Sequence, residues 1–234
     1  MTLIPERERE YLRDVFRERL KGPVILELFL SEGEDCEYCG EALQLTKELV
    51  ELAPDGLLSS EIHYLEKEPE VFRSNRVIGP PTIRVRAPNS EYYIAFSGLP
   101  AGYEFGALIE DILDASRGSP RLSPSTVERL KSIDKEMEID VFVTPTCPYC
   151  PRAVRMAHMF AMANPRIRGV MIEALEFPSL AEKHDVMSVP HIVINESYTF
   201  IGALPEPMFL EHVLRAARGE TAYEVTEEGV SPLK

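Results

Sequence analysis

The sequence predicts an α/β protein of two tandem domains, each a central mixed β-sheet flanked by helices, and three observations predict it. The four cysteines fall as two i, i+3 pairs, Cys36/Cys39 and Cys147/Cys150, offset by 111 residues. A proline that opens a strand, Pro81 or Pro190, follows the first cysteine of each pair by 45 and 43 residues. A third landmark then recurs in the same order, Phe96-Ser-Gly98-Leu-Pro100 against Phe200-Ile-Gly202-Ala-Leu-Pro205. Three landmarks repeated at nearly one spacing imply a duplicated unit.

The elements follow from hydrophobic period and turn residues. Glu-rich Glu6–Glu18 reads as the solvated face of an amphipathic helix over 6–20. Val24-Ile-Leu-Glu-Leu-Phe-Leu is a strand over 24–30, buried in type. A helix from about 37 to 53, a strand 60–65, a short helix 68–75, strands 82–86 and 92–96, and a helix 104–116 complete the first half. Ser116-Arg-Gly-Ser-Pro-Arg-Leu-Ser-Pro124 is dense turn chemistry and marks a linker, giving domains 1–117 and 118–234. The second half repeats the order: helix 125–135, strand 138–143, helix 148–163, strand 168–174, helix 178–185, strands 191–195 and 198–201, helix 206–217. The tail after Gly219 reads as polar coil.

Composition removes several classes of function. The formal net charge is −14, and phosphate binding needs clustered Lys and Arg, so a nucleic-acid partner is excluded. No run of about 18 apolar residues spans a membrane. Met1-Thr-Leu-Ile-Pro-Glu-Arg-Glu-Arg-Glu lacks a basic region followed by an apolar run, so a cytoplasmic location is expected. Paired cysteines in a chain of that kind mean metal or redox chemistry. The abundance of Glu, the single Gln44 and the many prolines resemble proteins of hot environments.

Thiol–disulfide exchange requires an attacking thiolate and a second thiol near enough to resolve the mixed disulfide. A pair at a strand-to-helix turn meets both needs. The first sulfur sits at the helix N-terminus, where free N–H groups and the macrodipole favour its anion. One turn on, the second sulfur returns to the same face. Cys36 and Cys147 are therefore assigned as nucleophiles, and Cys39 and Cys150 as resolving partners.

The order βαβ, β-hairpin, helix, with Cys-x-x-Cys at the first turn and a proline before the hairpin, resembles the thioredoxin and glutaredoxin domains. The tandem resembles the cytosolic protein disulfide oxidoreductases of thermophiles, of protein disulfide isomerase type. The second half also resembles the N-terminal redox module of alkyl hydroperoxide reductase flavoproteins. The resemblance implies two thioredoxin-like domains and a thiol–disulfide oxidoreductase acting on protein disulfides and dithiols. It implies no cofactor beyond the redox-active disulfides Cys36–Cys39 and Cys147–Cys150, and recycling by a thioredoxin-reductase-like flavoenzyme. It also implies that Pro81 and Pro190 each follow a cis bond, face the disulfide and expose a backbone edge to an extended substrate. Departures matter too. Cys147-Pro-Tyr-Cys150 is the glutaredoxin motif, yet a Gly-Gly-x-x-Asp-like glutathione turn is absent near Phe200–Glu206, and the chain has no Trp.

Glu27 and Asp140 interrupt otherwise apolar strands and are candidate carriers of the resolving thiol's proton, their pKa raised by burial; the alternative is an acid at the strand edge reaching water. The two sites should differ. Cys36 is surrounded by Glu32, Glu34, Asp35 and Glu37, which oppose a thiolate, whereas Pro148 and Arg152 flank Cys147. Cys147 should ionise at the lower pH, and its pair should be the more oxidising.

Rival readings remain. Two Cys-x-x-Cys pairs can hold zinc, but 107 intervening residues and a separate strand, helix and proline for each disfavour a metal. The chain is otherwise a dedicated electron donor to a peroxiredoxin, or a non-enzymatic adaptor whose cysteines are staples or zinc ligands. His63, His158, His184 and His212 lack ligand spacing, and His191 begins a strand beside Pro190 with a site contact as its alternative. Met156, Met159 and Met162 read as core.

Overall fold

The computed structural model describes residues 2–33, 36–220, 223–226 and 229–232. The chain divides into two compact units, residues 1–90 with 95–99 and 108–119, and residues 91–94 with 100–107 and 120–234.

In the first half the order is α1 (Glu6–Arg19), β1 (Val24–Leu30), α2 (Cys39–Leu52), β2 (Leu58–Tyr64), α3 (Pro69–Ser74), β3 (Thr82–Arg86), β4 (Tyr93–Ser97) and α4 (Glu104–Arg117). The strands lie as β2-β1-β3-β4, with β1 parallel to β2 and antiparallel to β3, and β3 antiparallel to β4. The sheet is therefore mixed, as the sequence predicts. Acidic Glu6 and Glu8 open α1 and basic Arg17 and Arg19 close it, matching the helix dipole. Its buried stripe of Leu12, Val15 and Phe16 also carries Arg9. Arg9 Nη1 donates to Glu48 Oε2 of α2 at 2.9 Å. The same carboxylate accepts the backbone N–H groups of Leu3 and Ile4 and the Gln44 amide, which ties the N-terminal segment to α2.

The second half repeats this with α5 (Pro124–Lys131), β5 (Met137–Val143), α6 (Cys150–Ala163), β6 (Ile167–Glu173), α7 (Pro178–Lys183), β7 (His191–Ile194), β8 (Tyr198–Ile201) and α8 (Glu206–Ala217). Its strands lie as β6-β5-β7-β8, parallel for β5–β6 and antiparallel for the rest. Helix α6 buries Ala153, Val154, Ala157, Phe160 and Ala161. Met156, Met159 and Met162, expected in the core, are only half-buried beside that stripe. A close approach makes Gly169 necessary in β6, since a Cβ there would meet the Ala157 carbonyl oxygen at 2.9 Å.

Two further expectations change in the second half and the tail. Helix α5 stops at Lys131 instead of continuing to 135, because Asn164 Nδ2 donates to the carbonyls of Leu130 and Ile133 and closes the helix end. The tail is not wholly coil, since β9 (Tyr223–Thr226) and β10 (Gly229–Pro232) form an antiparallel hairpin. Among the described residues no helix is long and apolar enough to cross a membrane.

Candidate active site

Both cysteine pairs are disulfide-bonded, each with a Cα–Cα separation of 5.5 Å. The helices begin at the second cysteine of each pair, so Cys36 and Cys147 stand in the turn just ahead of the first helical residue. This differs by two residues from the expected starts at 37 and 148, and it has a chemical consequence. The N–H of a first helical residue has no partner inside its helix. In the second pair that N–H, on Cys150, donates to Cys147 Sγ at 3.2 Å. In the first pair the Cys39 N–H goes to the Cys36 carbonyl at 3.5 Å, and Cys39 Sγ instead accepts the N–H of Ser31 at 3.2 Å. Each pair thus has one sulfur held by a backbone donor, that of the first cysteine in Cys147–Cys150 and that of the second in Cys36–Cys39.

The peptide bonds Pro80–Pro81 and Val189–Pro190 are cis, the geometry the resemblance implies at Pro81 and Pro190. The Val189 carbonyl oxygen stands 3.8 Å from Cys147 Sγ, so the proline segment faces the sulfur. The repeated glycines fix that segment from behind. Gly98 (φ 93°) and Gly202 (φ 105°) take positive φ, which L side chains rarely adopt. Their N–H groups donate to the carbonyls of Pro81 and Pro190 at 2.8 and 2.9 Å.

Cys36 is half-exposed, whereas Cys147 is buried and Cys150 is wholly buried. The surroundings differ in polarity. Tyr149 within the second motif and Met187, three residues before Pro190, are exposed apolar side chains. Beside the first pair, Glu32 is ion-paired with Lys67 at 2.5 Å, which offsets one of the acids expected to oppose a Cys36 thiolate. Glu34 and Asp35, two more of those acids, lie outside the described residues.

The acids within the strands are not placed as the proton-carrier reading requires. Alternation along a strand sends successive side chains to opposite faces. Phe142 meets the ring of His184 at the end of α7, while Gly169, in register with Ile139, lies under α6. Asp140 therefore shares the α7 face with Phe142, away from the helix that carries the cysteine. Glu27 likewise shares the face of Phe29, whose ring meets Phe72 of α3 at 5.3 Å. Glu27 is also engaged by Arg84 Nη1 at 3.1 Å, Arg86 Nε at 3.2 Å and His63 Nε2 at 3.4 Å. Burial, then repulsion from Glu138, pushes Asp140 up to about 8, the direction expected but on the other face.

One acid on the cysteine face carries no signal in the sequence pattern beyond its position. Glu173 ends β6 in register with Val143, two strand steps from the Met171–Val141 pair, and so lies on the α6 face at the end of the sheet near Cys147. It is buried, its Oε1 has no hydrogen-bond partner, and burial raises its pKa. A lone acid terminating an apolar strand was the available signal. His191 opens β7 directly after Pro190. Its ring sits edge-on to Phe142, and burial and then His184 hold it below its ordinary pKa. The ligand atoms of Glu27, Glu61 and His63 lie within 4.8 Å of one another, but the guanidiniums of Arg84 and Arg86 already occupy those carboxylates.

A family model described as a thioredoxin domain matches residues 137–215. A crystal structure of a protein disulfide oxidoreductase from Aeropyrum pernix K1 is 37% identical, with a TM-score of 0.85 over 94% of this chain and 97% of that one. The alkylhydroperoxide reductase AhpF from Enterococcus faecalis is 25% identical, with a TM-score of 0.79 over 88% of this chain and 97% of that structure. Among curated proteins, an alkyl hydroperoxide reductase from Staphylococcus aureus is 30% identical over 115 residues, 49% of this chain. The matched stretch is less than a quarter of the length of such curated relatives.

Proposed function

The chain belongs to the protein disulfide oxidoreductases of tandem thioredoxin-like architecture, and from that premise we propose that it oxidises, reduces or isomerises protein disulfides at two centres. Residues 1–117 and 118–234 carry one redox centre each. Cys36 and Cys147 attack, Cys39 and Cys150 resolve, and Pro81 and Pro190 present the backbone edge along which an extended client lies.

In the reducing direction, the Cys147 thiolate attacks a client disulfide, forming a Cys147–client bond and releasing one client thiolate. Cys150 then attacks Cys147 Sγ, the mixed disulfide breaks, and the second client sulfur leaves and takes up a proton. The dithiol loses two electrons and the client gains them. The observation that carries this reading is the Cys150 N–H on Cys147 Sγ at 3.2 Å, opposite the Val189–Pro190 segment. A donor there stabilises the attacking thiolate. Glu173 is the buried acid placed to hold a proton on that face. The cystines supply the redox chemistry without a further cofactor, in the cytoplasm, with a thioredoxin-reductase-like flavoenzyme to recycle them.

The likeness to the alkyl hydroperoxide reductases favours one second reading, electron donation to a peroxiredoxin. Insulin reduction driven by dithiothreitol tests the first. Activity should fall most in Cys147→Ser and less in Cys36→Ser. Full activity in the double variant would refute it, and rapid peroxide turnover with a peroxiredoxin but none with insulin would favour the second reading.

A further inference from the structure

The first pair is held by a clamp whose central carboxylate has no counterpart in the second half. Ser31 follows β1 directly, and its backbone N–H donates to Cys39 Sγ at 3.2 Å. Its hydroxyl donates to Glu66 Oε1 at 2.5 Å, and the N–H of Glu32 donates to Glu66 Oε2 at 3.1 Å. The Gly33 N–H closes the turn on Ser31 Oγ at 2.9 Å. Glu66 stands two residues beyond β2, whose end is tied to β1 by the Leu65 N–H on the Leu30 carbonyl at 2.9 Å. One exposed carboxylate therefore fixes the segment that aims an amide at the resolving sulfur. Aligned on Pro69 and Pro178, the equivalent of Glu66 is Leu175, 74% exposed and unable to accept a hydrogen bond through its side chain. There the backbone donor to a sulfur is the N–H of Cys150 itself, on Cys147 Sγ.

We propose that Glu66 is a positioning residue that holds the Ser31 amide on Cys39 Sγ, so that once Cys36 is bound in a mixed disulfide the resolving sulfur has a backbone donor for its thiolate. The proposal rests on the redox reading of that pair. In the step concerned, the Cys39 thiolate attacks Cys36 Sγ in a Cys36–client mixed disulfide. The Cys36–Cys39 bond forms, the Cys36–client bond breaks, and the client sulfur departs as a thiolate that takes a proton from water. Two electrons pass from the pair to the client.

An amide donor makes the Cys39 thiolate more abundant at neutral pH but less nucleophilic. With a Brønsted coefficient of about 0.4–0.5, a shift of about one pH unit changes thiolate abundance about tenfold and intrinsic reactivity about threefold in the opposite sense. Loss of the clamp should therefore slow resolution about threefold below the ionisation pH and speed it about threefold above.

The test uses the full chain carrying Cys147→Ser and Cys150→Ser, so that only the first pair exchanges. Reduced protein is treated with Ellman's reagent, and release of thionitrobenzoate from the Cys36 mixed disulfide is followed from neutral to alkaline pH. Glu66→Ala should move the midpoint upward by about one pH unit and cross the parent curve. Glu66→Gln, which keeps one carbonyl acceptor, should fall between them. A Glu66→Ala profile that superimposes on the parent, or one slower by the same factor at every pH, overturns the inference alone. A parent that never resolves the mixed disulfide overturns the redox reading of this pair and the inference with it.

Discussion

The amide nitrogen of Cys150 lies 3.2 Å from Sγ of Cys147, whereas the amide nitrogen of Cys39 is directed to the backbone oxygen of Cys36. A hydrogen bond to a charged acceptor contributes more than one between neutral groups, so the donor favours the thiolate of Cys147. Arg152 follows the second pair, while exposed Glu37 sits inside the first motif. Cys147 should ionise at a lower pH than Cys36. Thiolate absorbance in single-site variants measures both, and a lower midpoint for Cys36 would remove the basis for ranking the sites.

Truncating Glu48 should destabilise the first half. It is 2% exposed and accepts Arg9, two backbone N–H groups and Gln44. Glu48→Ala would leave a buried guanidinium without that partner, at a cost of about 3–5 kcal/mol. Urea unfolding of the variant against the parent reports the difference, and a change below about 1 kcal/mol would contradict the account.

Stability should fall as pH rises through the range set by Asp140. Its carboxyl is pushed up to about 8 by burial, then by Glu138, from an ordinary value of 3.8. The unfolded chain releases that proton first, so the native state holds more protons between those limits and loses stability as pH rises, levelling off above about 8. Asp140→Asn should be indistinguishable from the parent in strong acid and more stable than it at pH values above the transition. Thermal melts across pH provide the comparison, and parallel curves for the two proteins would contradict it.

Gly169→Ala should destabilise the second half by about 1–3 kcal/mol, the range for overpacking a close-fitted interior. The new methyl would meet the Ala157 carbonyl oxygen at 2.9 Å and the His158 ring at 3.0 Å, forcing α6 away from β6. Chemical denaturation monitors this directly. An unchanged midpoint would mean that the helix yields without cost.

The duplication made most of this architecture legible. Cys36/Cys39, Pro81 and Gly98 recur as Cys147/Cys150, Pro190 and Gly202, and each member has a conformational reason to be where it is. The face of Glu27 and Asp140 was not legible. Strands β1 and β5 are buried on both sides and read as nearly continuous apolar runs, so the pattern gives no parity, and parity alone decides which helix an acid meets. Glu173 was missed for the same reason. The Glu66 clamp was invisible because it joins residues 35 positions apart through a loop whose acids suggested only repulsion. The tail hairpin escaped because its strands are four residues each, too short for alternation to stand out.

The reduction potential of each pair, taken alone in full-length protein with the other pair replaced by serine, tests the central claim most directly. Both pairs should equilibrate with a thiol–disulfide buffer, and Cys147–Cys150 should be the more oxidising of the two. A pair that fails to exchange, or a Cys36–Cys39 pair that is the stronger oxidant, would contradict the account of two unequal redox centres.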